Sequence, residues 1–265
     1  MRPYRGPERH SQTRGADGGR ALAKWALYMH YLQAALTCPA FIVFSQWYGG
    51  FLTANEQRKD VQFARLDDPV LRAIGPYDLS MPSTIVVYVV AFGALLVELK
   101  NPRNIVIGLQ TTMLTMTLRA LFLHVTPLAP PRTIIPLVDP VSPYFAMDMP
   151  GKDAKPLEND LMFSGHTSSC LATALVYSSP TLRAIALSLT ALLAVMVILQ
   201  HCHYAIDVVV APFVVFTVWS FVVHRLHAHD WRVAGLKRHG PGWKGDAHPH
   251  DCGDRTESAK DVKND

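Results

Sequence analysis

Residues 184–223 decide the fold. They read AIALSLTALLAVMVILQHCHYAIDVVVAPFVVFTVWSFVV, and within them Asp207 is the only Asp, Glu, Lys or Arg. A bilayer core about 30 Å thick is crossed by roughly 20 mainly apolar residues in a helix. The stretch is therefore long enough for two crossings, which meet at His201-Cys202-His203. A soluble helix would keep a charged face, and these two segments have none.

Similar segments recur along the chain and predict six spans. They cover residues 25–51, 83–99, 105–128, 164–179, 182–200 and 204–223. The chain has 49% hydrophobic and 17% charged residues, but its mean hydropathy is only +0.14 because polar tails dilute the apolar middle. We therefore expect an all-α membrane protein, with a six-transmembrane-helix bundle over residues 25–225. We also expect an N-terminal tail over residues 1–24 and a polar, His-rich and disordered C-terminal tail over residues 226–265.

The composition also excludes several classes of protein. It does not fit a disordered chain, a collagen-like repeat or a small disulfide scaffold, and it disfavours a large soluble all-α core. The four cysteines are scattered and show neither a disulfide framework nor zinc-ligand spacing. The net charge of +4 fits contact with anionic lipid head groups, and no nucleic-acid-binding motif is present.

Basic residues in the short connections set the expected orientation. They lie in the N-terminal tail, between the second and third spans, between the fourth and fifth, and after the sixth. With six spans, all these segments are on one side, so both termini are predicted to be cytoplasmic. The long loops at 52–82 and 129–163 then face the lumen or the outside.

Four ionisable residues within or beside the spans are the candidates for chemistry. A charged residue at the centre of a membrane helix costs about 2.5–3.5 kcal/mol on insertion scales. The predicted topology places Arg119, His166, His203 and Asp207 in the same outer layer. His203 and Asp207 are four residues apart, so on a helix they would share a face. A carboxylate there would orient the imidazole as a nucleophile or base, whereas the alternative is a buried polar pair that only holds helices together.

The other candidates suggest an anion. Arg119 can bind phosphate through two parallel hydrogen bonds, although an arginine can also simply extend toward the interface. Ser164-Gly165-His166-Thr167 is typical of a helix N-terminus, which favours anions. There Ser164 and Thr167 would bind phosphate oxygens, and His166 would protonate a leaving oxygen.

Neither a metal nor a cofactor is expected. His201 and His203 are two residues apart, which directs them away from each other on a helix, and no third ligand is evident. His201 is interpreted as an interfacial polar residue, and the histidines of the C-terminal tail as solvated. Trp25, Trp47 and Tyr48 are interpreted as interfacial anchors.

These residues resemble a known family. Phe163-Ser164-Gly165-His166-Thr167 and His203-Tyr204-Ala205-Ile206-Asp207-Val208 are similar to the third and fourth signature motifs of sphingomyelin synthases. Arg119, followed by Val125-Thr126 and Leu128, looks like the second motif. Phe122, Ala129 and Ala205 depart from the family pattern. The resemblance covers residues 80–225 and includes the six-helix topology.

The resemblance implies a metal-free transfer of a phospho-head group, with phosphocholine, phosphoethanolamine or phosphoinositol as candidates. The donor would be a glycerophospholipid and the acceptor ceramide or diacylglycerol, within the bilayer and on its lumenal or extracytoplasmic side. His203, oriented by Asp207, would attack phosphorus, and His166 would act as acid and then base. The substrate-binding set is Arg119, Ser164, Gly165, Thr167, Asp160 and Tyr204, and Asp139 is an additional acidic candidate.

Two alternatives remain open. One is a lipid phosphate phosphatase, in which water replaces the acceptor. That parent superfamily, the type 2 phosphatidic acid phosphatases, usually has Pro and Arg where this chain has Phe163 and Val197. The other is a lipid-binding or transport protein without enzymatic activity.

Overall fold

A computed structural model describes residues 9–58, 62–137 and 161–227 of the chain, and this part is helical. The helices are α1 (Arg9–Glu56), α2 (Pro69–Ala73), α3 (Ser80–Glu98), α4 (Pro102–Val125), α5 (Gly165–Ala174), α6 (Pro180–Leu199) and α7 (Ala205–Phe221). A π-helical turn, Val222–Leu226, extends α7.

Within the described residues, five helices are long and apolar enough to cross a bilayer. They are Leu27–Glu56, Ser80–Glu98, Pro102–Val125, Pro180–Leu199 and Ala205–Leu226. The prediction of an all-α, multi-pass membrane protein is confirmed at this level. The side of the membrane on which each terminus lies remains a prediction.

The predicted fourth span, residues 164–179, is not confirmed as a full-length helix. α5 has only ten residues, Gly165–Ala174, which is about 15 Å at 1.5 Å per residue. It packs against α3, α4, α6 and α7. Non-helical backbone at membrane depth is tolerated where protein surrounds it. The buried segment Leu175–Tyr177 can therefore leave the helix as a turn, in which Leu175 and Val176 still donate to the Leu171 and Thr173 carbonyls at 3.1 and 3.2 Å.

Helix α1 differs from the rest because it lies at the edge of the bundle. Only 6% of the apolar part of this helix is buried within the protein, and its main packing partner is α4. Leu36, Ile42 and Val43 are exposed, as expected for side chains that face lipid. The helix begins at Arg9, so its backbone continues into the segment that the sequence assigns to a tail.

The core is formed by α3, α5 and α6. Val90, Ala174, Leu193 and Val197 are almost completely buried within one apolar cluster. The Tyr177 hydroxyl donates a 2.9 Å hydrogen bond to the Val90 carbonyl, which ties the end of the α5 segment to α3. α5 is thereby fixed at the centre of the bundle.

At one end of the bundle, the loops are joined by hydrogen bonds. Ala64 donates to the Pro127 carbonyl at 3.2 Å, and its own carbonyl accepts from Ala129 at 2.8 Å. Tyr77 donates to Leu199, the last residue of α6, at 2.9 Å. Nearby, the Ser80 backbone N–H and hydroxyl donate to the Asp78 carboxylate and lower the pKa of that carboxyl. We call this end, where α4 and α6 finish, the site end.

Candidate active site

Arg119 lies on the last turns of α4 and is fixed by α5 and α1. It is 1% exposed. Its Nε donates a 2.8 Å hydrogen bond to the Phe163 carbonyl, and its Nη1 donates a 2.8 Å bond to the Tyr48 hydroxyl. The guanidinium also lies directly against Gly165, where an added Cβ would be 3.1 Å from Arg119 Cζ. The positive charge of Arg119 is thus held at the N-terminus of α5. The side chain does not extend toward the membrane interface.

Ser164 is the N-cap of α5, so the helix starts at the motif where the sequence predicts a helix N-terminus. Its Oγ accepts a hydrogen bond from the Thr167 backbone N–H at 3.3 Å, and its carbonyl accepts from Ser168 at 2.9 Å. Its own N–H donates to the Asp207 carbonyl at 3.0 Å. The side chain therefore caps α5, while the backbone fastens this turn to α7.

His203 and Asp207 form a buried pair. His203 Nδ1 is 3.6 Å from Asp207 Oδ2, with side chains only 5% and 4% exposed. Among the described residues, His203 Nδ1 has no hydrogen-bond partner. Its separation from Asp207 Oδ2 is longer than a hydrogen bond but within ion-pair distance. The expected helical geometry is wrong in one respect, because α7 begins at Ala205 and His203 precedes it. A turn makes the contact, and Asp207 Oδ2 stabilises that turn by accepting from the Tyr204 N–H at 3.2 Å.

The two remaining residues of the α5 motif differ in exposure. His166 is half-buried, whereas Thr167 is buried. The Thr167 hydroxyl oxygen has no hydrogen-bond partner in the described part of the chain. His166 must be accessible to the substrate if it is to transfer a proton, and it is half-buried. Thr167 needs an uncommitted hydroxyl if it is to bind phosphate. Both environments are therefore compatible with the predicted roles.

The structure brings most of the predicted set together through direct contacts. Arg119 contacts Phe163 and Gly165, Ser164 bonds to Asp207, and Asp207 pairs with His203. Three separate parts of the sequence thus meet at the site end. Asp139 and Asp160, the predicted acidic partners, lie outside the described residues.

Tyr204 makes hydrogen bonds to the backbone of two loops. Its hydroxyl donates to the Ala129 carbonyl at 2.8 Å and accepts from the Leu66 N–H at 3.2 Å. The side chain is 1% exposed. In this structure the phenol joins two loops at the site end, and a phosphate contact by Tyr204 remains a prediction.

Three residues near the site were not identified from the sequence as candidates for it. Tyr48 was interpreted as an interfacial anchor, but it binds Arg119. Asp68 Oδ2 accepts from the Ala205 N–H at 2.7 Å, while its Oδ1 accepts from Val70 at 2.8 Å. A Ser, Asp or Asn followed by Pro is a recognisable helix-start signal, but nothing in the sequence shows that Asp68 also reaches α7.

His201 is the third such residue, and it is enclosed by the protein. It is 1% exposed, and its backbone φ of 57° lies in the left-handed region. Its Nδ1 is 2.6 Å from the Thr133 hydroxyl. A non-glycine residue at positive φ is uncommon. Here the conformation turns the chain sharply between α6 and His203.

Comparison with known proteins connects this geometry to one superfamily. Residues 159–225 match the family model described as PAP2 superfamily C-terminal, a range that contains His166, His203 and Asp207. Arg119 lies outside the matched range. No curated protein matches the chain. This segment is therefore similar to the C-terminal part of the type 2 phosphatidic acid phosphatase superfamily, whose members catalyse phosphoryl transfer and hydrolysis.

Proposed function

We propose that the protein transfers a phospho-head group from a glycerophospholipid to the primary hydroxyl of ceramide. The head group would be phosphocholine, phosphoethanolamine or phosphoinositol. The observation that carries the proposal is the buried His203–Asp207 pair, fastened through Ser164 to the α5 turn against which Arg119 lies. This arrangement combines a nucleophile, its orienting carboxylate and a fixed cation.

In the first step, His203 attacks phosphorus. Nδ1 faces Asp207, which leaves Nε2 as the attacking atom. A bond forms between Nε2 and phosphorus, and the bond from phosphorus to the diacylglycerol oxygen breaks. His166 donates its proton to that oxygen, and diacylglycerol leaves. The imidazole becomes positively charged, and Asp207 stabilises that charge.

The second step transfers the head group to the acceptor. The primary hydroxyl of ceramide attacks phosphorus while His166, now neutral, takes up its proton. The bond between phosphorus and Nε2 breaks, and His203 returns to its starting form. One histidine thus acts as acid and then as base, which requires access to both lipids and agrees with its half-buried position.

Arg119 and the N-terminus of α5 stabilise the phosphoryl oxygens. The guanidinium is fixed by Phe163 and Tyr48, so it needs little reorganisation when negative charge develops. Preorganised donors in a site that excludes water are often the largest single contribution to catalysis. The positive end of the α5 dipole adds to the same effect.

The positive charge available near the site favours a phosphodiester substrate over a phosphomonoester. A phosphodiester carries one negative charge, whereas a phosphomonoester at neutral pH carries nearly two. Position 197, where the parent superfamily usually has an arginine, is a valine that is completely buried in the apolar core. It provides no second guanidinium, and the single charge of Arg119 matches a phosphodiester better.

The acceptor assay separates the proposal from its alternatives. Purified protein in phospholipid vesicles would receive a donor with a radiolabelled head group, with and without ceramide. We expect labelled phosphosphingolipid only when ceramide is present, and at least a 1,000-fold loss in His203→Ala. Removal of a nucleophile or its base commonly costs several orders of magnitude.

His124→Ala is the matched control, because His124 is an exposed histidine near the end of α4 and should retain full activity. Phosphate release from phosphatidic acid with no dependence on ceramide would instead establish a phosphatase. Equal lipid binding by wild type and His203→Ala, without any turnover, would establish a non-enzymatic protein.

A further inference from the structure

A cavity lies at the end of the bundle opposite the site end. Its volume is about 340 Å³, and its lining includes Lys100, Arg103 and His30 together with Leu27. Asn101, Pro102, Asn104 and Ser178 complete the lining. The wall thus combines two permanent cations and neutral polar groups with an apolar side chain. None of these residues takes part in the proposed catalysis.

The floor of the cavity is built around a buried carboxylate. Glu98 is completely buried, and its Oε1 accepts a 2.7 Å hydrogen bond from the Ser178 N–H. Its Oε2 accepts from the Ser178 hydroxyl at 2.7 Å, from Asn104 at 2.8 Å and from Asn101 at 3.1 Å. These bonds keep the carboxylate within the protein and fix the polar residues of the floor.

The N-terminus of α4 strengthens the positive potential there. Asn101 precedes α4 but makes no side-chain cap hydrogen bond. Its side-chain nitrogen Nδ2 donates to Glu98 and Ser178 instead. Pro102 is the first residue of the helix. The positive end of the α4 dipole lies between the two cations at Lys100 and Arg103 and adds to their potential. The Glu98 carboxylate beneath it offsets part of this charge, but two cations and one anion leave the site net positive.

The depth of the cavity in the bilayer indicates the kind of anion. Glu98 ends one apolar span and Pro102 begins the next. The cavity is therefore at the level where apolar helices end and lipid head groups begin. Basic pockets between membrane helices at this level bind anionic head groups.

We propose that this cavity binds the phosphate of an anionic glycerophospholipid. Lys100 and Arg103 contact the phosphate oxygens, and the α4 N-terminus faces the same group. Leu27 and the neighbouring lipid-facing surface of α1 contact the glycerol and the start of an acyl chain. The site is separate from the catalytic residues, since it lies at the other end of α3, α4 and α6.

Photo-labelling tests this proposal. Wild-type protein in neutral phosphatidylcholine nanodiscs would receive a trace of phosphatidylglycerol with a photoreactive group beside its phosphate. After illumination, mass spectrometry maps the labelled peptides. We expect labels on residues 98–104 and around Leu27. Neutralising one cation near the membrane surface should reduce labelling about five-fold, and neutralising both about 30-fold.

Lys100→Gln is the principal variant because Lys100 is exposed, so its replacement leaves the fold unchanged. Arg103→Gln and the double variant extend the series. Arg225→Gln is the matched control, since Arg225 is an exposed arginine beyond the end of α7, at the same end of the bundle, and does not line the cavity. It should keep wild-type labelling.

Three results would overturn the proposal. The first is unchanged labelling of residues 98–104 in both Lys100→Gln and the double variant. The second is an equal loss in Arg225→Gln, which would indicate diffuse surface charge. The third is full competition by micromolar glycerol phosphate or inorganic phosphate, which would identify a soluble phosphate as the ligand in place of a lipid.

Discussion

The backbone N–H of Ser164 donates a 3.0 Å hydrogen bond to the backbone carbonyl of Asp207. This one bond joins the turn that begins α5 to the first turn of α7. Arg119 rests on one side of it, against Gly165, and His203 lies on the other, against Asp207. Because the link uses backbone atoms, the alignment of Arg119 with His203, the proposed phosphate-binding and nucleophilic groups, depends on how closely α5 and α7 pack.

Gly165→Ala tests that alignment. The new Cβ would be 3.1 Å from Arg119 Cζ, so the guanidinium must move by a few tenths of an ångström. Small misplacements of positioning groups are expensive in rate, and we expect kcat/KM to fall about tenfold. Thermal stability should hold or rise slightly, because alanine favours a helix over glycine. Gly50→Ala, on α1 with open space at its Cβ, should leave activity unchanged; an equal loss there would contradict this account.

Tyr48→Phe tests the attachment of α1 to the site. The substitution removes the hydroxyl that accepts from Arg119 Nη1 at 2.8 Å. A hydrogen bond to a charged group contributes about 1.5–3 kcal/mol, so we expect kcat/KM to fall by about ten- to 100-fold. Tyr28→Phe makes the same chemical change on an exposed side chain of the same helix and serves as the control. Equal kinetics for the two variants would show that Tyr48 is only an interfacial anchor.

Asp68→Asn tests whether the loop that contains Asp68 supports the turn at the start of α7. Asp68 accepts from Ala205 through one oxygen and from Val70 through the other. Asparagine retains one acceptor and places an amide N–H against the other backbone donor. Loss of a cap costs about 0.5–2 kcal/mol, so we expect a lower Tm together with lower activity.

Asp67→Asn is the control for this change, because Asp67 is exposed and pairs with Arg72 on the surface. Such pairs contribute little to stability, and its Tm should match wild type. If Asp68→Asn lowered Tm no more than Asp67→Asn, the proposed support by Asp68 would be wrong.

Glu98→Gln separates stability from catalysis. Glu98 accepts four hydrogen bonds at the end opposite the catalytic residues. The side-chain NH₂ of glutamine would face Ser178, Asn104 or Asn101, which themselves donate hydrogen bonds to this position. We expect a loss of about 1.5–3 kcal/mol in stability, measured as a lower Tm in detergent, with kcat/KM unchanged below the transition. A selective loss of kcat at full stability would contradict the separation of the two ends.

Two members of the candidate site could be predicted from the sequence because charges are rare in the apolar spans. Arg119 and Asp207 stand out for that reason, and the structure joins both to the α5 turn. The length of α5 is not predictable in the same way. Apolar composition alone does not reveal that other helices surround residues 165–177. Because protein surrounds them, these residues do not have to form a helix long enough to cross the bilayer.

Asp68 and Glu98 illustrate a second limit. An aspartate in an exposed loop and a glutamate at the end of a span are common, so neither is conspicuous in the sequence. Their importance comes from long-range partners, Ala205 for Asp68 and Ser178 for Glu98. Such contacts depend on how the helices pack, and one sequence does not encode them as a local pattern.

The central claim is that His203 carries the head group covalently. Wild-type protein would be mixed with a glycerophospholipid labelled in its head group, without ceramide, then quenched at alkaline pH, where phosphohistidine survives. Intact-mass and peptide analysis should find one phospho-head group on His203, present in His124→Ala and absent from His203→Ala. Addition of ceramide before the quench should remove the label from the protein and deliver it to ceramide. Ceramide-dependent transfer with no adduct on His203, or an unchanged adduct in His203→Ala, would contradict the mechanism.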